Sequence, residues 1–244
     1  MAAALTGSAY YLAQREKLIG NHRKMLAVGR DLLAERYGAA EAPAILSESD
    51  TEFAALIPHI PYIGGAANSY TDLQVQMTSL LALYRSLTRR GRPVAEIGAL
   101  VHLIGERTVN QTPAMLRRLI GRFYMSRFWR GRAAKRAALS QQRHYPGDFV
   151  TEVVPGQPGD GFEWGINYHA CGVVKFFAAQ GADEFTPYMC VMDYLLFPAM
   201  GVGLQRTGTI AHGCTHCDFR FKHGGASEPA WPPKFLKESE AAPE

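Results

Sequence analysis

The sequence predicts an α+β fold, with a helical N-terminal half packed with a mostly antiparallel sheet and two short helices from the C-terminal half. Two observations carry this. Apolar residues recur at helical spacing to about residue 139, and strand-like alternation takes over from about residue 148. No internal repeat or long low-complexity linker divides the chain. Residues 1–236 are therefore expected to form one domain, helical over about 9–139 and mixed over about 148–223, with a disordered tail at 237–244.

Each element has its own signal. Leu18/Ile19, Met25/Leu26 and Leu32/Leu33 return every seven residues, which predicts a helix over 9–37 stopped by Gly38. Residues 39–67, with SESD and IPHIPYIGGAAN, read as a loop pressed against an apolar surface. Ser69 and Asp72 resemble a capping box opening a helix with the stripe Leu73, Met77, Leu80, Tyr84 and Leu87. Gly91 ends it, and Pro93 opens another that buries Val94, Ile97, Val101 and Ile104. A basic helix is expected from about 112 to 139. FVTEVV and FEWGIN read as strands around the turn-forming PGQPGDG. A helix over about 168–181 ends at Gly181, and another runs from Thr186-Pro187 to near Pro198. VGLQRTGTIA and CDFRFK supply the last strands.

Composition narrows the function classes. With 47% hydrophobic and 20% charged residues, the chain has the balance of a soluble globular protein. It contains no apolar run long enough to span a membrane, and its first residues lack the basic start of a secretory signal. All four cysteines, Cys171, Cys190, Cys214 and Cys217, fall in the last third, which suits reduced thiols in the cytoplasm better than a disulfide framework. The net charge of +4 is uneven: no acidic residue lies between Glu106 and Asp148, where ten arginines and lysines fall. Such a segment can be a solvated helix face, the edge of an oligomer of identical chains, a guide for an anionic substrate, or a nucleic-acid surface.

The stretch IAHGCTHCDFRF concentrates the reactive side chains. Cys214 and Cys217, with His212 and His216 nearby, have the spacing of half a zinc ligand set, but no second half follows; His169 and Cys171 would have to complete it. Read as a strand, the same stretch turns Cys217, Phe219 and Phe221 inward, leaving Asp218 and Arg220 free to pair on the opposite side. Cys217 is then either a small buried hydrophobe or a reactive thiol. On the helices, Asn167 and Cys171 stand four apart. Cys190 and Asp193 stand three apart, with Tyr194 and Phe197 on the same side. A carboxylate on that apolar face needs either an arginine partner or a ligand. Gly64 and Gly65 permit close backbone approach to a ligand, and Asn68 can hydrogen-bond one; a plain turn and helix cap is the alternative.

Taken in order, IPYIGGAAN leading into SLLALYRSL, then NYHAC, CVMD and CDFRF, make the chain similar to the L-2-amino-thiazoline-4-carboxylic acid hydrolase family. The resemblance implies a cytoplasmic, bacterial-type hydrolase that opens a small cyclic amidine or related C–N/C–S heterocycle. It implies Cys217 as nucleophile, Asp193 holding the amidinium, and His169 or His216 as the partner that makes a thiolate. Asn68, Gly65, Cys171, Cys190, Tyr194 and Arg220 are the expected substrate-binding residues, with Arg220 or the basic segment receiving a carboxylate. No metal or other cofactor is expected, and the expected partner is the small heterocycle alone, without nucleic acid or membrane. Asp193 acting as base on water, a non-catalytic small-molecule sensor, and a zinc-dependent hydrolase using the His212–Cys217 cluster remain the alternatives.

Overall fold

The computed structural model describes residues 7–235, so the tail expected to be disordered at 237–244 lies outside the described residues. Helices α1 (Gly7–Leu12), α2 (Arg15–Ala27) and α3 (Arg30–Tyr37) replace the single helix expected over 9–37. The apolar pattern still points inward, with Leu18, Ile19, Leu26 and Leu33 buried. One break falls at Gly29, where the backbone passes so near Ile104 that an added Cβ would lie 2.5 Å from its side chain.

The larger correction concerns residues 39–67, read as loop. Helix α4 (Glu41–Leu56) fills the first part. Its buried face mixes Ser49 and Glu52 with Ile45, Phe53 and Leu56, which breaks the apolar period in the sequence. These polar groups find partners far along the chain. Ser49 Oγ meets Nε2 of the buried His22 at 3.3 Å, and Glu52 pairs with Arg89. Arg90 donates to both oxygens of Glu48, at 2.9 and 2.7 Å.

Helices α5 (Thr71–Arg89) and α6 (Val94–Asn110) bury Leu80, Tyr84, Leu87, Ile97, Val101 and Ile104 of the predicted stripes, while Leu73, Met77 and Val94 are only half-buried. Asn68, rather than Ser69, turns the chain into α5, its Oδ1 accepting from Tyr70 N–H at 2.9 Å. In α6, Gly98 and Gly105 form notches for Tyr188 and Met192, where a Cβ would overlap the incoming side chains. The basic segment is two helices, α7 (Ala114–Tyr124) and α8 (Arg127–Ser140). They part at Ser126, whose hydroxyl caps α8 by accepting from Trp129 N–H at 3.2 Å.

Strands β1 (Val150–Pro155), β2 (Trp164–Ala170), β3 (Val202–Gln205) and β4 (Cys217–His223) form an antiparallel sheet in the order β1-β2-β4-β3. The expected α+β architecture is therefore present. Strand β2 takes residues assigned above to a helix, and α9 (Gly172–Ala179) starts only after it, so Asn167 and Cys171 are not a helical pair. The helix expected from Thr186 to Pro198 divides at Met192 into α10 (Thr186–Val191) and α11 (Asp193–Ala199). Beyond Gln205 the chain leaves the sheet and loops through a short turn, Ile210–His212, back to β4.

Two apolar clusters hold these elements. One joins the N-terminal helices to α9 and α10 through residues such as Leu26, Phe53, Leu81 and Phe177. The other covers the inner face of the sheet, with Trp164, Phe219 and Phe221 against Met125 and Phe197. His22 lies buried in the first, stacked on Phe53 with ring centroids 4.4 Å apart. Burial lowers its pKa from 6.5 to about 4, against the pull of Asp50. The unfolded chain therefore binds a proton below about 6.5 that the folded chain refuses until about 4. The resulting stability is expected to be full above pH 6.5 and to decline between 6.5 and 4. The slope should be at most roughly 1.4 kcal/mol per pH unit. Urea unfolding across this window checks it: His22→Leu should flatten the slope, and an unchanged slope would assign it to other groups.

Candidate active site

A cavity of about 1000 Å³ opens where the two apolar clusters meet. Its sheet wall follows from strand parity. Ile166 and Tyr168 from β2 and Cys217 and Phe219 from β4 face it, with Tyr168 opposite Cys217 in the register. Cys171, at the start of α9, and Cys190, in α10, add two more thiols. Asp193, the first residue of α11, adds a carboxylate. The sequence-predicted Cys217, Asp193, Cys171 and Cys190 thus converge on one cavity, and Asn68 lines it as well.

Asp193 is paired with an arginine that sequence reasoning did not single out. Arg206 Nη1 donates to Asp193 Oδ2 at 2.8 Å, and Nη2 donates to the Cys190 carbonyl at 2.9 Å. The guanidinium is buried against the rings of Tyr194 and Phe219, 4.9 and 5.0 Å from their centroids. Burial raises the Asp193 carboxyl above its ordinary range, while Arg206 opposes that rise. Tyr194 supports the arginine, also donating its hydroxyl to the Arg206 carbonyl at 3.2 Å, and does not line the cavity.

The cavity thiols differ in surroundings. Burial raises all three, pushing Cys171 up to about 12 and raising Cys190 as well. Burial raises Cys217 less, and Ile210 N–H, donating to its sulfur at 3.2 Å, and the positive charge of Arg206 oppose the rise. Tyr168 is also buried, which holds its phenol well above the usual value and therefore protonated. The Tyr70 and Tyr168 hydroxyls share a hydrogen bond at 3.2 Å, and either can donate. Arg136 lies over the Tyr70 ring, 3.6 Å from the centroid, and donates to Asn68 Oδ1.

Other expected site residues go elsewhere. His169 points to the opposite face of β2 from Tyr168 and bonds Glu152 at 3.0 Å, so it cannot serve as the immediate base for Cys217. His216 neighbours His169, with ring centroids 5.6 Å apart. Arg220 is also on the outer face, donating to Asn167 Oδ1 and the Phe219 carbonyl, each at 2.9 Å. It does not pair with Asp218. Partial burial would raise the Asp218 carboxyl, but donors from Thr207 and Gly208 bring it below the ordinary range. Gly65 closes on the Tyr10 ring rather than on the cavity, and a Cβ there would lie 2.8 Å from it. Asn68 has its amide engaged by Ile63, Asp148, Tyr70 and Arg136, which makes it a positioning residue. Cys214 is exposed while Cys217 faces inward, and no group of three or more His, Cys, Asp and Glu among the described residues is placed to hold a metal ion.

Sequence patterns hinted at some of what was missed. Tyr168 shares the parity of Ile166, so extending FEWGIN by one strand residue would have placed it inward. A partner for Asp193 was required by burial, but nothing local distinguishes Arg206 from the other arginines.

A family model described as L-2-amino-thiazoline-4-carboxylic acid hydrolase matches residues 74–221, and the chain belongs to that family. The match holds NYHAC, CVMD and CDFRF but begins after the glycine loop at 60–68. No curated protein and no solved structure matches the chain.

The thiol environments predict an order of alkylation. Cys214 should react first with iodoacetamide, followed by Cys217 as pH rises, with Cys171 and Cys190 last. Peptide mass mapping reads this order. Arg206→Met should slow Cys217 labelling, and Cys190 outpacing Cys217 would contradict the ranking.

Proposed function

We propose that this member of the hydrolase family opens a cyclic amidine bearing a carboxylate, such as L-2-amino-thiazoline-4-carboxylate, to an N-carbamoyl amino acid. The observation that carries the reading is the meeting of Cys217, Asp193, the buried Arg206 guanidinium and the half-buried Arg136 in one cavity. Asp193 Oδ2 is taken by Arg206, and its other oxygen is left for an amidinium. Arg136 offers a cation for the substrate carboxylate, and its place in the cavity favours it over Arg220.

In this mechanism the Cys217 thiolate adds to the amidine carbon. The C–S bond of the ring then breaks, and its sulfur leaves with the proton that Cys217 gave up, relayed through the Tyr168 hydroxyl. Water adds to the resulting S-linked amidinium, and its collapse to a urea expels Cys217. The net reaction consumes one water, breaks the ring C–S bond and leaves a carbamoyl group on nitrogen. Asp193 and Arg206 set the charge around the reacting carbon before reaction begins, so little reorganisation is needed. The cavity volume lies at the upper end of the range for drug-sized ligands. Leu73, Met77 and Leu80 line it, which suits a heterocycle with an apolar substituent.

One observation favours a different thiol. Cys171 precedes α9, and the N–H groups of Val173 and Val174 favour its thiolate. Turnover of L-2-amino-thiazoline-4-carboxylate and larger 2-aminothiazolines, followed by mass spectrometry, tests both readings. Cys217→Ala should abolish turnover and any covalent adduct, and Asp193→Asn should lower kcat at least about a hundredfold. His169→Gln and Arg220→Gln should retain it. Full activity in Cys217→Ala with loss in Cys171→Ala would move the nucleophile to Cys171. Full activity in both would leave Asp193 acting directly on water, and no turnover of any cyclic amidine would favour a sensor.

A further inference from the structure

Helix α7 presents the side usually reserved for a core to solvent. Gly121 is its buried residue, packed against the backbone of Met200. Arg117 also points inward, donating to the Val109 carbonyl at 3.2 Å and Asn110 Oδ1 at 2.5 Å. The apolar stripe lies on the other side: Met115, Leu119 and Phe123 are 84%, 61% and 49% exposed, with Leu116 and Ile120 exposed beside them. Phe128, at the start of α8, continues the patch at 63% exposed. Chains rarely leave this much contiguous apolar surface on one helix without a partner.

Charge identifies the partner. Arg118 and Arg122 flank the stripe on α7, and Arg127 and Arg132 follow on α8, all exposed. No carboxylate occurs between residues 107 and 147. A second copy using the same face would bring two carboxylate-free basic segments together, without compensation. An anionic bilayer supplies both acyl chains for the stripe and phosphates for its flanks. We propose that α7 and the start of α8 seat the protein on anionic lipid surfaces, with α7 lying in the plane of the interface. This departs from the expectation of no membrane partner, and it requires no spanning helix. Among the described residues, no helix is long and apolar enough to cross a membrane. The docked face adjoins the cavity, since Tyr124 and Arg132 also line it.

Flotation of the full chain with phosphatidylcholine vesicles, with and without phosphatidylglycerol, tests the proposal. Binding should require the anionic lipid and fall at least about tenfold at high salt. Arg118→Gln with Arg122→Gln should weaken it by about tenfold or more. Leu119→Glu with Phe123→Glu should abolish it while leaving the circular dichroism spectrum unchanged, because these side chains are exposed. Equal binding to both vesicle types, or no binding to either, would overturn the proposal. So would a wild-type dimer in light scattering that Leu119→Glu with Phe123→Glu dissolves, which would assign the face to a second copy.

Discussion

A guanidinium and a carboxylate taken out of water each cost several kcal/mol, and the pair persists only when geometry and further bonds compensate. Arg206 and Asp193 meet that demand together: the arginine has the carboxylate, the Cys190 carbonyl and two ring faces around it. Asp193 opens α11 just past the break at Met192, while Arg206 is the first residue beyond β3. The ion pair therefore ties a helix break to the end of a strand. The loop that begins at Arg206 also brings Ile210 N–H to the Cys217 sulfur. Asp218 grips Thr207 and Gly208 of the same loop. Charge, thiol and backbone donor are thus held in one arrangement.

Strand parity assigns neighbours to different environments. Cys217 faces the cavity and Asp218 anchors the loop; Tyr168 faces the cavity and His169 pairs with Glu152 outside. Adjacent letters in NYHAC and CDFRF consequently belong to separate chemistry. A thiol and an imidazole can be close in sequence and still have a sheet between them. The proton-bearing group beside Cys217 is the buried phenol of Tyr168, opposite it in the strand register.

The alternation in CDFRF was legible because each residue's side is decided within the strand. The long apolar stripes of α5 and α6 were legible for the same local reason. Helix α4 was not, since Ser49 and Glu52 face inward and are satisfied by His22 and Arg89 from other elements. The pairing of Cys190 with Asp193 survived the division of its helix, because both still border the same cavity. Arg206 was hidden because its role comes from tertiary placement. His169 was read into a helix over about 168–181 but belongs to β2, while Arg220 lies on the outer face that its strand parity predicted.

The notches at Gly98 and Gly105 give α6 an influence on the site through missing atoms. Met192 lines the cavity, stands at the junction before Asp193, and fits over Gly105, where one added methyl group would occupy the space of its terminal carbon. Tyr188 fits over Gly98 two residues before Cys190 in α10. The two helices that carry the candidate chemistry are thus seated by vacancies in a neighbour. Their alignment depends on what α6 omits, and substitutions that look conservative on that helix would move the carboxylate before touching it.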